Sequence, residues 1–290
     1  MSKNLLAVVT IATVLYSCSE SDVPLNSDDQ IAVETESTIE FAFEDADDMM
    51  NSGLAVSDAD AGNRTSSDDE GENDDRWRCA SFSHEKTGDI SGIIRIDFGD
   101  GCTDPRGRTR KGAVLISYQG RRWQPGSVVE TTFENYSIRP NQDSDLEVEL
   151  QGVRRVENIS ESVLSSPTFH VTLTNGLATF SDGTTQERTV DRTRKGIRGA
   201  SPLADSWEIT GTAEGKNRLG VTYTVSIQEP LLFNRACFRE RVFIPVSGKK
   251  VITTDTRTIT VDYGAGACDN GVTITVDGGV PREVDLSRRR

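Results

Sequence analysis

From Gly92 to Val276, β-branched and aromatic residues alternate with polar ones in short runs, and this pattern constrains the fold more than any other feature of the sequence. Runs such as 93–98, 221–227 and 272–276 have the period of two that is typical of strands with one buried face. Turn-forming residues separate the runs, and the Asn-Gly dipeptide within 174–177 favours a hairpin turn. The links are too short for parallel crossovers. We therefore predict that residues 76–290 form one all-β domain, an antiparallel meander folded as a sandwich or a partly open barrel.

The N-terminal segment resembles the signal peptide of a bacterial lipoprotein. Lys3 precedes an apolar stretch over 5–15, which is too short to span a bilayer because a spanning helix needs about 20 residues. Ser17 then precedes Cys18, at the position where a secretory signal is cut. The resemblance implies that residues 1–17 are removed and that the thiol of Cys18 is acylated, for example with palmitate, which holds the mature chain on a membrane.

The charge of the chain is divided sharply between its two parts. The formal net charge is −14, but residues 19–75 contain 19 acidic residues and one basic residue, whereas residues 76–290 carry a net charge of +3. Such an acidic composition is typical of a solvated, self-repelling linker, so we predict that residues 18–75 form a disordered tether. Ile39, Phe43, Ala46 and Met50 have near-helical spacing and predict one short amphipathic helix near residues 39–50, ended by Gly53 and its neighbours. We expect this helix to dock on the body and its loss to cost little stability.

A cysteine-containing unit occurs near both ends of the β body. Cys79 precedes an Asp-Phe-Gly-Asp-Gly-Cys turn that ends at Cys102, and Cys237 precedes an Asp-Tyr-Gly-Ala-Gly-Ala-Cys turn that ends at Cys268. Four cysteines in an exported chain favour disulfides. The repeat predicts the pairs Cys79–Cys102 and Cys237–Cys268, and the sequence leaves the two other pairings open. The chain has no CxxC motif and its two histidines have no ligand-spaced partner, so we expect no metal site.

Three motifs of the body resemble a family of Bacteroidetes lipoproteins. They are the Asp-Phe-Gly-x-Gly-Cys turn, the Thr-Phe-Glu-Asn-Tyr segment at 132–136, and the Asp-Tyr-Gly-x-Gly-x-Cys-Asp-Asn segment that ends at Asn270. The resemblance runs from Cys18 to about Val276. It implies an outer-membrane location, and Ser19 in place of Asp after Cys18 agrees with this. The acidic residues 20 and 22 resemble the export tag of lipoproteins on the cell surface. The family has no known activity that could be transferred to this chain.

Two aspartates and two tryptophans are the residues that deserve a test for function. Asp97 and Asp262 are equivalent in the two cysteine units, and paired carboxylates about 5–9 Å apart catalyse glycoside hydrolysis. An aspartate before a tight turn more often accepts hydrogen bonds from nearby backbone amides, so we predict no catalytic residue. Trp123 and Trp207 are candidate contacts for a glycan, with core packing as the alternative.

The neighbouring Arg121 and Arg122 are candidate contacts for an anionic ligand, with solvated loop charge as the alternative. We expect a non-catalytic binding protein of the cell envelope, specific for a glycan or another surface ligand. An envelope-structural protein or adhesin is the first alternative, and a glycoside hydrolase that uses Asp97 and Asp262 is the second. The expected partners are the membrane, through the lipid anchor, and a glycan or an envelope protein. We expect neither a cofactor nor a nucleic-acid partner.

Overall fold

The computed structural model describes residues 25–60, 79–105, 107–140, 146–201, 204–240 and 242–286, with the side chains of α1 described as far as residue 57. Cys18 and the acidic stretch 61–75 lie outside the described residues. The described elements, in chain order, are α1 (Ser27–Asp60), β1 (Ser81–Gly88), β2 (Ser91–Asp97), β3 (Cys102–Thr103), β4 (Thr109–Gln119), β5 (Val128–Arg139), β6 (Val148–Asn158), β7 (Thr168–Phe180), β8 (Thr185–Ile197), β9 (Ser206–Lys216), β10 (Thr222–Asn234), a 3₁₀ helix (Arg235–Glu240), β11 (Ser247–Thr254), β12 (Thr258–Ala265), β13 (Gly271–Val276) and β14 (Arg282–Asp285).

The strands form a single antiparallel meander, as predicted. Each strand pairs with the next along the chain, except that β2 pairs with β4 and the two-residue strand β3 pairs with the start of β4. Among the described strands, β1 and β14 are the two ends of the sheet and do not pair with each other, so the sheet is not closed. The structure therefore has one open sheet rather than a two-sheet sandwich.

The Asn-Gly dipeptide does not form the hairpin turn that its sequence favours. Asn175 and Gly176 lie inside β7, where the pairing with both neighbouring strands shifts register next to them. Asn175 has a φ of +51°, which asparagine tolerates better than most residues. The dipeptide thus makes a β-bulge in a long strand, because the strand continues to pair on both sides of it. The turn that connects β7 to β8 is formed by residues 181–184, where the amide of Gly183 bonds to the carbonyl of Phe180 at 2.8 Å.

The two disulfides are those that the sequence repeat predicts. Cys79 is bonded to Cys102 and Cys237 to Cys268, so each bridge lies within one cysteine unit. The first bridge fastens the start of the sheet beside β3. The second fastens the 3₁₀ helix, which follows β10, to the turn between β12 and β13.

The helix α1 is much longer and much more buried than predicted. It spans 34 residues instead of about twelve, and every described side chain between Asp29 and Ser57 is buried or half-buried. The predicted apolar face is correct, since Ile39, Phe43 and Met50 are all buried. Most of the acidic side chains around that face are paired instead of solvated, because the sheet curves around the helix and meets them with basic side chains. This part of the predicted tether is therefore the core of the domain.

The predicted helix stop at Gly53 does not end α1, because this residue packs against the sheet. A Cβ atom at Gly53 would lie 3.3–3.5 Å from side-chain atoms of Ile94, Ile96 and Ile116, so the missing side chain lets the helix approach β2 and β4 closely. Tertiary packing of this kind outweighs the cost of about 1 kcal/mol that glycine imposes on a helix interior. Among the described residues, no helix is both long enough and apolar enough to cross a membrane.

Candidate functional site

The carboxylates of Asp97 and Asp262 are each bonded to the turn that follows them. Asp97 Oδ1 accepts a hydrogen bond from the amide of Gly99 at 2.8 Å, and Asp262 Oδ1 accepts one from the amide of Gly264 at 2.9 Å. A basic side chain also contacts each carboxylate. The Gly99 amide, followed by Arg95, lowers the pKa of Asp97, whereas a general acid needs a raised one. The geometry therefore gives both aspartates a role in fixing turns.

Trp207 is part of the packed interior of the sheet. Its ring stacks on Phe233 with centroids 5.5 Å apart and meets the edge of Phe238, and the guanidinium of Arg194 lies 4.5 Å from its centroid. These neighbours occupy the surfaces on which a sugar would stack. Trp207 thus offers little free ring surface to a ligand, and its role as a contact stays a prediction.

Trp123 differs from Trp207, since 54% of its surface is exposed at the tip of the turn between β4 and β5. Its ring meets Phe169 edge-on, with centroids 6.1 Å apart, and Arg122 lies 4.4 Å from the ring centroid. Arg122 also donates a hydrogen bond to Asn51 of α1 at 3.2 Å, while Arg121 is exposed. Three of the four predicted contact residues therefore share one turn, and Arg122 fixes that turn to the helix.

Trp123 belongs to a larger group of exposed apolar side chains at one end of the sheet, which we call the apolar rim. The turn before β2, the turn before β5, the loop before β7 and the end of β8 all lie at this end. Six of the ten exposed large hydrophobic residues of the described chain are found there, namely Ile90, Trp123, Ile159, Val163, Leu164 and Ile197. Leu164 is 87% exposed, so it projects into solvent rather than lining a cavity.

Backbone hydrogen bonds join the loops of the apolar rim to one another. The amide of Gly120 bonds to the carbonyl of Ile90, and the amide of Gly126 to the carbonyl of Asn158, each at 2.8 Å. The amide of Gly196 bonds to the carbonyl of Pro167, also at 2.8 Å. The three loops and the end of β8 are thus held in one arrangement, so the rim is a preformed surface.

The opposite end of the sheet is where α1 begins. Asp29, in the first turn of α1, lies 3.6 Å from the guanidinium of Arg257, in the turn between β11 and β12. Asn51, towards the other end of α1, bonds to Arg122 beside the apolar rim. The helix therefore runs along the inside of the sheet from the end opposite the rim towards the rim itself.

A buried ion-pair network joins α1 to the inner face of the sheet along this path. It consists of acidic side chains from the helix and basic side chains from β4, β6, β8, β11 and the turn before β4, namely Glu36, Glu40, Glu44, Asp45, Asp47, Arg108, Arg110, Arg154, Arg188, Arg192, Arg194 and Lys250. Asp47 and Arg154 form two hydrogen bonds, at 2.5 and 2.6 Å. Such pairing is what allows carboxylates and guanidinium groups to leave water.

The network shifts the pKa values of its acidic members. Burial alone would raise the pKa of Glu40, but Lys250, Arg192 and Arg188 hold that pKa well below its ordinary value of 4.5. Burial raises the pKa of Glu44, and the attraction of Arg194 does not cancel this effect. The lowered pKa of Glu40 therefore stabilises the folded chain above about pH 4.5, and this contribution is lost as the pH falls below that value. The raised pKa of Glu44 has the opposite effect, so its ionised carboxylate destabilises the folded chain.

One small cavity lies beside the N-terminal half of α1. This cavity of about 10 Å³ lies between α1 and strands β8, β10 and β11, lined among others by Glu36, Gln186 and Tyr223. It has room for about one water molecule, whereas pockets for small molecules usually exceed about 300 Å³. Within the described ranges, no three His, Cys, Asp or Glu side chains are grouped so that they could hold a metal ion.

No protein-family model, curated protein or solved structure matches this chain. The function must therefore be inferred from the surfaces just described. Sequence reasoning found the Trp123 turn but missed Ile159, Val163 and Leu164. The available signal was a set of aliphatic residues within a serine-rich loop, where a turn needs no apolar side chain.

Proposed function

We propose that this chain is a lipid-anchored protein of the bacterial outer membrane that binds a surface outside its own membrane and catalyses no reaction. The binding surface is the apolar rim. The observation that carries the proposal is the concentration of exposed apolar side chains on three loops and the adjoining end of β8, which hydrogen bonds join at one end of the sheet. A monomeric soluble protein rarely keeps such a patch exposed unless something binds there.

The same observation favours an adhesin-type protein over a glycan-binding accessory protein. A glycan site of the expected kind would use several exposed tryptophans, but Trp207 is packed against Phe233 and Phe238. The rim projects outward, with Leu164 at its tip, and so suits a broad surface better than a single sugar chain. The hydrolase alternative is less favoured because turn amides and basic side chains already engage both Asp97 and Asp262.

The course of α1 relates the proposed anchor to the rim. Nine residues lead from Cys18 to Ser27, and even a fully extended chain of this length spans only about 31 Å. The helix itself rises by about 33 Å between Asp29 and Asn51. A lipid on Cys18 would therefore keep the membrane beside the end of the sheet at which α1 begins, with the rim at the far end.

The anchor can be tested by changing Cys18 to alanine in a Gram-negative host. We expect the wild-type chain to enter the detergent phase of a Triton X-114 extraction and the variant to stay soluble or unprocessed. A variant that still enters the detergent phase at mature size would show that Cys18 is not the lipid site.

The binding role can be tested with Leu164→Ser and Trp123→Ser, displayed as full chains on the host surface. We expect both variants to reduce adherence to neighbouring cells or to an immobilised envelope preparation. Leu219→Ser is the matched control, because Leu219 is 51% exposed at the opposite end of the sheet. Adherence that is absent from the wild type, or equal in all three variants, would contradict the proposal.

A further inference from the structure

The exposed apolar patch of the rim is made of loop tips and one strand end rather than of a flat sheet face. Ile90 and Trp123 come from two different turns and Ile197 from the end of β8, and the loop between β6 and β7 adds Val163 and Leu164 at its tip. A protein interface usually has a continuous, close-packed core of about 800 Å² on each partner. Separate apolar loop tips suit a fluid partner, which can close around each of them.

Exposed basic side chains lie on the same loops and strand end as these apolar residues. Arg121, Lys195 and Arg198 are exposed, and none of the ion pairs among the described residues uses them. Two exposed acidic residues, Asp89 and Glu161, lie on the same loops. Three unpaired cations against two acidic residues give these loops a small positive excess, which complements an anionic surface.

Trp123 has the amphipathic character that tryptophan shows at membrane–water interfaces. About half of the residue's surface is exposed, and Arg122 and Phe169 contact the rest of the ring. Tryptophan is enriched at the headgroup level of bilayers, with aliphatic side chains reaching deeper and basic side chains meeting lipid phosphates. The rim presents all three kinds of side chain on a surface that backbone hydrogen bonds already hold in place.

We infer that the apolar rim docks on a lipid bilayer with anionic headgroups, inserting Leu164 and its neighbours beside the acyl chains and placing Arg121, Lys195 and Arg198 at the phosphates. The inference rests on the proposed function, because it names the surface to which the same rim binds. Since the rim lies at the far end from the start of α1, a bilayer bound there would be a second one, apart from the bilayer that holds the proposed anchor.

The test uses the mature chain, residues 18–290, carrying Cys18→Ser, so that neither the signal segment nor an acyl group contributes to membrane binding. The probes are sedimentation with vesicles of phosphatidylcholine mixed with phosphatidylglycerol, and with vesicles of phosphatidylcholine alone. We expect Leu164→Ser to lower the partition coefficient by about tenfold, since burying a leucine side chain strengthens binding by at least this factor. Leu219→Ser should bind as the parent does, and circular dichroism should show that both variants remain folded.

The cations are tested separately with the double change Arg121→Gln and Arg198→Gln. We expect weaker binding to the mixed vesicles and a smaller change with phosphatidylcholine alone, because the cations act on the anionic lipid. Equal partition of Leu164→Ser and Leu219→Ser would overturn the inference, as would a dimer in light scattering that Leu164→Ser abolishes. Failure with vesicles while Leu164→Ser still reduces cell adherence would refute the lipid partner and leave the proposed adhesive function standing.

Discussion

Asp45 is the residue at which the role of the buried helix can be tested most directly. Its carboxylate, which has no exposed surface, accepts hydrogen bonds from Arg110 at 2.7 and 2.8 Å, from Arg108 at 3.0 Å and from Tyr136 at 3.3 Å. The change Asp45→Ala removes this shared acceptor. Arg110, which is also fully buried, then keeps the carboxylate of Asp104 but loses the one supplied by α1.

The expected loss of stability is large because the charges left behind cannot reach water. Removing one partner of a buried ion pair typically costs about 3–5 kcal/mol, since the other charge stays buried without full compensation. Each kcal/mol corresponds to roughly 2–4 °C in the melting temperature of a domain of this size. We therefore expect Asp45→Ala to melt about 6–20 °C below the parent chain.

The measurement is thermal and urea unfolding of the full chain, followed by circular dichroism. Glu229→Ala is the control, because its partner Lys249 lies 3.0 Å away in an exposed pair, and such pairs contribute about 1 kcal/mol or less. If Asp45→Ala costs no more stability than Glu229→Ala, Asp45 is solvated in solution and the helix is not enclosed by the sheet.

Three further changes test other parts of the structure. A chain lacking residues 27–60 should fail to unfold cooperatively, because the sheet loses its core and exposes the basic side chains that α1 neutralises; a cooperative transition near that of the full chain would show that the helix is dispensable. Peptide mapping without reduction should recover Cys79–Cys102 and Cys237–Cys268, and a peptide that joins the two units would contradict the structure. Glu40→Gln should reduce the loss of stability below about pH 4.5, because the pKa of Glu40 is lowered in the folded chain; identical acid-unfolding curves for both chains would disprove that role.

The strands and the disulfides could be predicted because their signals are local. Alternation of apolar and polar residues reports which face of a strand is buried, and the repeated turn places each cysteine pair in the same supersecondary unit. The Asn-Gly dipeptide was misleading because its local preference is for a left-handed backbone, which a bulge satisfies as well as a hairpin does. Whether the strand ends there depends on pairing with β6 and β8, and a short sequence window does not contain that information.

The burial of α1 could not be predicted by treating its acidity as a sign of solvation. The signal that was overlooked is a second segment, β8, in which basic residues occur at alternate positions on one face of the strand. Arg188, Arg192 and Arg194 lie on the same face of β8 as the buried Val190. The inner face of a strand usually carries apolar residues at these positions. Read together with Glu36, Glu40 and Glu44 on one side of the helix, this pattern indicates two charged surfaces that pack against each other.

The ion pairs also explain why α1 has a single position along the sheet. Its apolar side chains, such as Ile39 and Met49, would find apolar neighbours at more than one depth, because the hydrophobic effect has no direction. Sliding the helix by one turn, about 5.4 Å, would instead move Asp45 away from Arg108 and Arg110 and leave all three groups poorly paired. Each mispaired buried charge costs several kcal/mol, so the alternative positions become unstable. The apolar residues thus hold the helix inside the sheet, while the buried ion-pair network fixes where along the sheet it lies.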